Sequence, residues 1–238
     1  MKLDAIAHVR SCFGSKFAVP RQPGLCPSAW GELIFEEGYR QAEALRGLEG
    51  FSHAWLIFGF HQTADKGWKP TVRPPRLGGN ERVGVFASRS THRPNGLGLS
   101  LVSLEGIELE PPKGPFLKLG GLDLLDGTPI YDIKPYLPFA ESVPEAKSGF
   151  ATDEIPRLKV MVHESALEAF AALPARAQVV VKEALALDPR PAVQTHEQDR
   201  VFGALLCGHD VRFTVSEGCC SVVEIVPAKQ AGLDQPFS

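Results

Sequence analysis

The chain has 238 residues, 44% apolar and 22% charged, with a net charge of −3 at neutral pH. That is ordinary for a water-facing folded protein, and a soft prior of about 150 residues per domain allows one large domain or two modest ones. Apolar runs such as Ala54 to Phe60 are too short to span a bilayer, and Met1-Lys2-Leu3-Asp4 lacks a signal peptide's apolar core. The five cysteines (Cys12, Cys26, Cys207, Cys219, Cys220) are odd in number without C-x-x-C spacing, which reads as free thiols in a reducing cytoplasm.

In chain order, Ala5 to Arg10 reads as a first strand, followed by a proline-held loop, Phe17-Ala-Val-Pro-Arg-Gln-Pro-Gly24, that exposes Arg21 and Gln22. Trp30 to Phe35 is a second strand, and Tyr39 to Leu48 places Ala42, Leu45 and Leu48 at helical spacing. Phe51 to Phe60 is nearly continuous apolar sequence and predicts a fully buried central strand ending in His61-Gln62. Arg82 to Ala87 alternates like a strand, as does Leu97 to Ile107. Between them Ser88 to Gly96 holds two arginines, a histidine, several hydroxyls and a Pro94-Asn95-Gly96 turn, which suits either a solvated hairpin or a rigid bend that grips a small molecule. Phe116 to Leu125 and the segment after the Asp126-Gly-Thr-Pro129 turn add two strands. Six or more strands within about 135 residues predict a closed or nearly closed β-barrel over residues 1–142.

Residues 143–156 have linker composition. Beyond them, 157–238 read as a small α+β domain. It comprises a strand at Leu158 to Val162, a helix capped by a Ser165/Glu168 box, a second helix from Pro174 to Leu187, and strands at 201–206, 211–215 and 221–225. Gly208-His209-Asp210 is the expected hairpin turn, and Asp188-Pro-Arg-Pro191 reads as either a helix stop or an RNA-contact loop.

Charge is unevenly distributed. Residues 66 to 93 carry seven bases against the single acid Glu81, a local +6 that leaves −9 for the rest. Such a segment, with Trp68 among its cations, suits an anionic partner whose bases stack on the indole while arginines hold phosphates. A phosphate-binding Gly-Lys-Ser/Thr loop, a G-x-G-x-x-G fingerprint, a G-x-S-x-G elbow and metal-ligand spacing are all missing from the sequence.

Six blocks carry a family resemblance: Phe17 to Gly24, Phe60-His-Gln62, Arg73-Pro-Pro-Arg-Leu-Gly-Gly79, Gly84-Val-Phe-Ala-Ser-Arg-Ser90, Arg93-Pro-Asn95, and Asp126-Gly-Thr-Pro with Asp132-Ile-Lys-Pro-Tyr136. Together they resemble the TrmO (TsaA-like) family of S-adenosylmethionine-dependent tRNA methyltransferases, which have a β-barrel fold. The C-terminal part resembles that of the bacterial members. The family bend usually reads Arg-Pro-Asn-Pro-Ile-Gly; here Gly96-Leu97 stands in place of Pro-Ile.

The resemblance implies a cytoplasmic homodimer that methylates N6 of threonylcarbamoyl-adenosine at position 37 of a threonine tRNA. By resemblance and by chemistry, S-adenosylmethionine falls to Pro20, Arg21, Gln22, His61, Gln62, Arg89, Leu99 and the turn Asp126, Gly127, Thr128 and Pro129. Methyl transfer needs positioning and no covalent nucleophile. The exocyclic nitrogen needs acceptors that orient its N–H and take its proton, for which Asp132, Tyr136 and Asn95 are candidates. Lys134 or Arg93 would hold the modification's carboxylate, and Asp132 with Lys134 also suits a structural ion pair. Trp68, Lys69, Arg73, Arg76 and Arg190 are expected to meet the anticodon arm. A non-catalytic S-adenosylmethionine sensor and a plain RNA-binding module are the alternatives.

Overall fold

The computed structural model describes residues 3–63, 66–74, 77, 81–110, 114–151, 155–190 and 200–228. Strands β1 (Ala7–Ser11), β2 (Trp30–Phe35) and β3 (His53–Gly59) join three later ones in a closed antiparallel barrel. Those later strands are β6 (Leu97–Glu108), β7 (Phe116–Gly120) and β8 (Pro129–Pro135), and the order around the wall is β1-β2-β7-β6-β3-β8. Closure pairs every stave and leaves no open sheet edge. The alternation decides what lies inside. In β1, Ala7, Val9 and Ser11 are buried while His8 and Arg10 face out to Glu36 and Glu32, at 3.0 and 3.2 Å. Leu33, Leu56, Leu117, Leu119 and Ile130 fill the interior, each large apolar side chain stabilising the fold by about 1.5–3 kcal/mol through burial.

Four expectations for this region change. The span Tyr39 to Leu48 is not an α-helix but part of three short 3₁₀ turns, Glu37–Tyr39, Ala42–Leu45 and Leu48–Gly50, with Gly47 at φ 89° breaking any longer helix. β3 is not buried on both faces: Ala54, Leu56 and Phe58 point inward, whereas Trp55 and Ile57 are half-buried on the outer wall. The Arg82 to Ala87 alternation yields only β5 (Val83–Gly84), paired with β4 (Thr71–Val72), followed by a 3₁₀ turn at Val85–Ala87. The pair stands outside the barrel, so Ser88 to Gly96 is the return of a flap and not a hairpin between two staves. β7 ends at Gly120, where Gly121 turns at φ 62°, and the Leu122 to Leu125 run is a loop with Leu122 and Leu124 buried.

After the short helix α1 (Pro138–Glu141), the C-terminal region builds a four-stranded sheet. Its strands are β9 (Lys159–Val162), β10 (Phe202–Leu206), β11 (His209–Ser216) and β12 (Cys219–Pro227), in the order β10-β11-β12-β9, with β9 parallel to β12. Helices α2 (Leu167–Ala171) and α3 (Ala175–Ala186) accompany it. α3 buries Ala177, Val180, Val181, Ala184 and Leu185, one stripe at helical spacing.

Two local expectations are corrected here. Ser165 does not cap: a 3₁₀ turn at Glu164–Ala166 precedes α2, the His163 ring accepts from the Ser165 N–H at 3.3 Å, and the Ser165 hydroxyl donates to Val223 O. The β10–β11 turn lies at Cys207-Gly208, both with positive φ, so His209 and Asp210 already belong to β11. The barrel and this sheet share one continuous core. Phe13 bridges to Leu206, Gly14 N–H donates to Leu205 O at 3.0 Å, and Cys207 N–H donates to Cys12 O at 2.7 Å.

Candidate active site at the barrel rim

One end of the barrel gathers most of the residues singled out as a small-molecule site. The turn Asp126 to Pro129 is pinned to β1: Asp126 N–H donates to Phe13 O, Gly127 N–H to Val9 O, and the Asp126 carboxylate accepts the Ser11 N–H at 2.8 Å. Gly127 supplies a positive φ of 76°, and the Thr128 hydroxyl closes the turn onto Leu125 O at 2.6 Å. β3 ends on the same rim, where Phe60 N–H donates to Gly96 O and brings Asn95-Gly96 beside His61-Gln62.

Burial pushes the His61 imidazole below its ordinary pKa, while the Asp126 charge partly opposes that shift. The ring is therefore neutral at pH 7 and close enough to Asp126 to feel its field. Gln22, held in its proline loop, accepts a hydrogen bond from Arg89 Nη1 at 2.6 Å, joining the first loop of the chain to the flap.

Two residues that the sequence pattern did not single out complete the cluster. Ser100 is fully buried on the inward face of β6, opposite Leu56, and its hydroxyl donates to the Asp123 carboxylate. Burial pushes the Asp123 carboxyl up to about 6, with Ser100, its own main-chain N–H and the Arg89 charge opposing the rise. The signal was legible: an acid between Leu122 and Leu124 in an otherwise apolar run demands a partner.

Above this rim stands the flap. Val85 anchors it from a buried position, with its N–H on Pro70 O, and Arg93 Nη1 donates to Val85 O at 3.3 Å and Ser88 O at 2.7 Å. Arg93 thus braces main chain through Nη1. Trp68 and Phe86 are 53% and 76% exposed, and Lys66, Lys69, Arg73, Arg82 and Arg89 are exposed with them. Arg76 lies outside the described residues.

Of the remaining candidates, Leu99 and Asp132 flank Ile57 on the outer wall, and Tyr136 and Arg190 lie elsewhere. Leu99 is exposed on the outer wall, paired with Ile57. Asp132 pairs with Lys134 at 3.1 Å on that wall, the structural ion pair that was one of two readings. Tyr136 packs against His53 and Trp55 at the far end of β3, roughly 20 Å from His61 at about 3.3 Å per strand residue. One chain does not bring Tyr136 to Asn95. Arg190 is held by Asp188 at 2.8 Å, in a cleft of about 290 Å³ that also receives Phe17, Pro20 and Arg21.

The family profile described as the tRNA-methyltransferase O N-terminal domain matches residues 8–142, and that of the TrmO C-terminal domain matches residues 155–228. The chain belongs to the TrmO family. Within that family it is 47% identical to the tRNA (adenine(37)-N6)-methyltransferase of Escherichia coli over 232 residues, covering 95% of this chain and 98% of that one. A Pseudomonas aeruginosa relative with a provisional name as an S-adenosylmethionine-dependent methyltransferase is 47% identical over 215 residues, 89% of this chain and 91% of that one. The crystal structure of TrmO from Pseudomonas aeruginosa superposes with a TM-score of 0.77 at 38% identity, covering 95% of this chain and 98% of that one.

Proposed function

We infer that this TrmO-family chain transfers the methyl group of S-adenosylmethionine to N6 of the modified adenosine at position 37 of tRNA, threonylcarbamoyl-adenosine in a threonine tRNA. The observation that supports this reading is the Gln22–Arg89 hydrogen bond, which ties the proline loop to the basic, aromatic flap, together with the Phe60–Gly96 bond that brings His61 beside Asn95.

The donor set fits the cofactor. Its carboxylate finds guanidinium groups in Arg89 and Arg21, and its hydroxyls and adenine edge find the Gln22 amide, Asp126 and main-chain groups of the Asp126 to Pro129 turn. When bound, S-adenosylmethionine supplies a cationic sulfonium with a transferable methyl. The protein's part is orientation, which lowers a barrier by up to about 7–11 kcal/mol when two reactants are held in line. A neutral His61 adds no positive charge to a site that takes a cationic donor. Asn95, on the rim beside His61, orients the N–H of the acceptor adenine.

Trp68 and Phe86 offer stacking faces to unpaired bases, and Lys69, Arg73 and Arg76 neutralise phosphates. Asp132, Lys134 and Tyr136 belong, on this reading, to a site shared across a homodimer working in the cytoplasm. The test is transfer of an isotope-labelled methyl from S-adenosylmethionine to tRNA, read by nucleoside mass spectrometry. The expected product is methylated threonylcarbamoyl-adenosine, and its absence after incubation with threonine tRNA that carries threonylcarbamoyl-adenosine without the methyl overturns the activity. Replacing Arg73 and Arg76 by alanine should weaken tRNA binding and lower its salt slope by about one for each phosphate no longer neutralised; equal affinity at two salt concentrations removes the flap from the interface.

A further inference from the structure

The loop between β1 and β2 carries Arg21 and Gln22 and contains no helix or strand. Among the described residues, hydrogen bonds hold it at Gln22, which meets Arg89 of the flap, at Gly24, and near its two ends. The C-terminal region grips both ends. At the entry, Gly14 N–H donates to Leu205 O and the Ser15 hydroxyl accepts the Leu205 N–H, both at 3.0 Å. At the exit, Arg157 Nη2 donates to Leu25 O at 2.9 Å. Beside it Glu183 of α3 takes three bonds: Oε2 accepts the Ser28 N–H at 3.0 Å and the Cys26 thiol at 3.3 Å, and Oε1 accepts the Ser28 hydroxyl at 3.3 Å. Phe17 to Arg21 and the end of α3 wall the same cleft.

Glu183 follows Arg176 by two helical turns, so both side chains leave one face of α3. Their tasks differ. Arg176 takes Glu105 on the barrel wall together with the Ser28 and Ala29 carbonyls. Among the described residues, all three donors to Glu183 lie in the loop, and none is a cation. A half-buried carboxylate without a basic partner is unfavourable unless its oxygens are bonded, so the acid and the loop fix one another. Burial and the Glu183 charge push the Cys26 thiol up, which keeps it a donor. Pro20, Pro23 and Pro27 each lock one φ, so a displacement at Ser28 is passed along the chain toward Gln22.

We propose that Glu183 is a positioning residue for the methyl donor: from α3 it fixes Cys26 and Ser28, and thereby sets where Arg21 and Gln22 stand. This rests on the assignment of that loop to S-adenosylmethionine above. It gives the C-terminal region a second task, holding the cofactor loop in its binding-competent shape before the donor arrives. Without the clamp the loop samples other shapes, and apparent affinity falls by the fraction that remains competent. A bound donor selects the competent shape, so turnover at saturation is retained.

The experiment compares the wild-type chain with Glu183→Ala, Glu183→Gln and, as a stability control, Val222→Ala, which opens a void at a fully buried position of β12. Hydrogen exchange in the ligand-free chains reads the loop, and calorimetric titration with S-adenosylmethionine reads affinity. Glu183→Ala should speed exchange at residues 16–28 and weaken donor binding about tenfold, a competent fraction of about one tenth. Its kcat should stay within about twofold and its KM for tRNA should not change. Glu183→Gln, which keeps a carbonyl for the Ser28 N–H, should fall between the two. Val222→Ala should melt earlier with donor affinity unchanged. Should Glu183→Ala not fold, Glu183→Gln and Ser28→Ala carry the test, each expected to weaken donor binding about threefold. Unchanged loop exchange in folded Glu183 variants overturns the proposal while the cofactor-site reading stands. Faster exchange with unchanged affinity removes this loop from the donor, and the proposal falls with that assignment. An equal loss of affinity in Val222→Ala reduces the effect to general stability and also overturns it.

Discussion

Replacing Arg176 by alanine should weaken the hold of α3 on the barrel wall. Arg176 lies in the first turn of α3, and its guanidinium reaches the outer wall of the barrel. Its Nη1 and Nη2 form a fork on Glu105 of β6 at 2.7 and 2.6 Å, Nε donates to Ser28 O at 2.8 Å, and Nη2 reaches Ala29 O at 3.3 Å. The same group lies 5.6 Å from the centre of the Trp30 ring. The ion pair is only partly covered, with side chains 26% and 30% exposed, so it contributes about 1 kcal/mol. The carbonyl bonds, charge-assisted and part-buried, add about 1–3 kcal/mol.

A total of roughly 2–4 kcal/mol should lower the melting temperature by about 5–12 °C in a chain of this size. Arg176→Lys should recover little, because an ammonium cannot reproduce the fork. Urea unfolding of Arg176→Ala, Glu105→Gln and the double variant separates the contributions, with a coupling energy near 1 kcal/mol expected for the pair. A loss below about 0.5 kcal/mol in Arg176→Ala would show that the helix is held to the barrel by its apolar stripe alone.

Asp123 also titrates in a way that stability can report. Its folded pKa of about 6 exceeds the ordinary 3.8, so between those values the native state holds more protons than the unfolded one, and stability falls as pH rises through that window. Asp123→Asn, which never ionises, should be more stable than wild type above pH 6 by on the order of 2–3 kcal/mol, with the gain vanishing near pH 4; equal melting curves at pH 8 would contradict this. Gly98→Ala should be strongly destabilising, by about 1–3 kcal/mol, because a Cβ there would run into the Phe58 ring, which is 7% exposed inside the barrel and cannot move aside. Adding Phe58→Leu should recover part of the loss in a thermal melt, and no recovery would place the cost elsewhere.

Period-two patterning was sufficient to mark β1, β2 and β6 as strands but not to say which face turns inward: β1 turns Ala7 and Val9 in and His8 and Arg10 out, whereas β6 turns Gly98, Ser100 and Val102 in and Leu99 and Leu101 out. It misled at Arg82 to Ala87, where Val83 and Val85 alternate with Gly84 and Phe86 but the segment is held by a two-residue pairing and by Arg93, without a neighbouring stave. The 3.6-residue spacing was equally sufficient for α3 and insufficient for Tyr39 to Leu48, where Gly47 turns left-handed and Leu45 alone is buried. Of the candidate site, Gln22 and Arg89 do meet, although 67 positions separate them along the chain.

The sequence by itself determined the barrel and the chemical identity of its rim, since alternation is a local property and the six motif blocks name their own residue types. Only the tertiary structure decided which of those residues act together. Register put Tyr136 at the far end of β3, the flap turned Arg93 into a brace for main-chain carbonyls, and closure of the wall carried Asp123 to Ser100. Contacts of that kind depend on where strands cross and loops return, and no spacing along the chain encodes them.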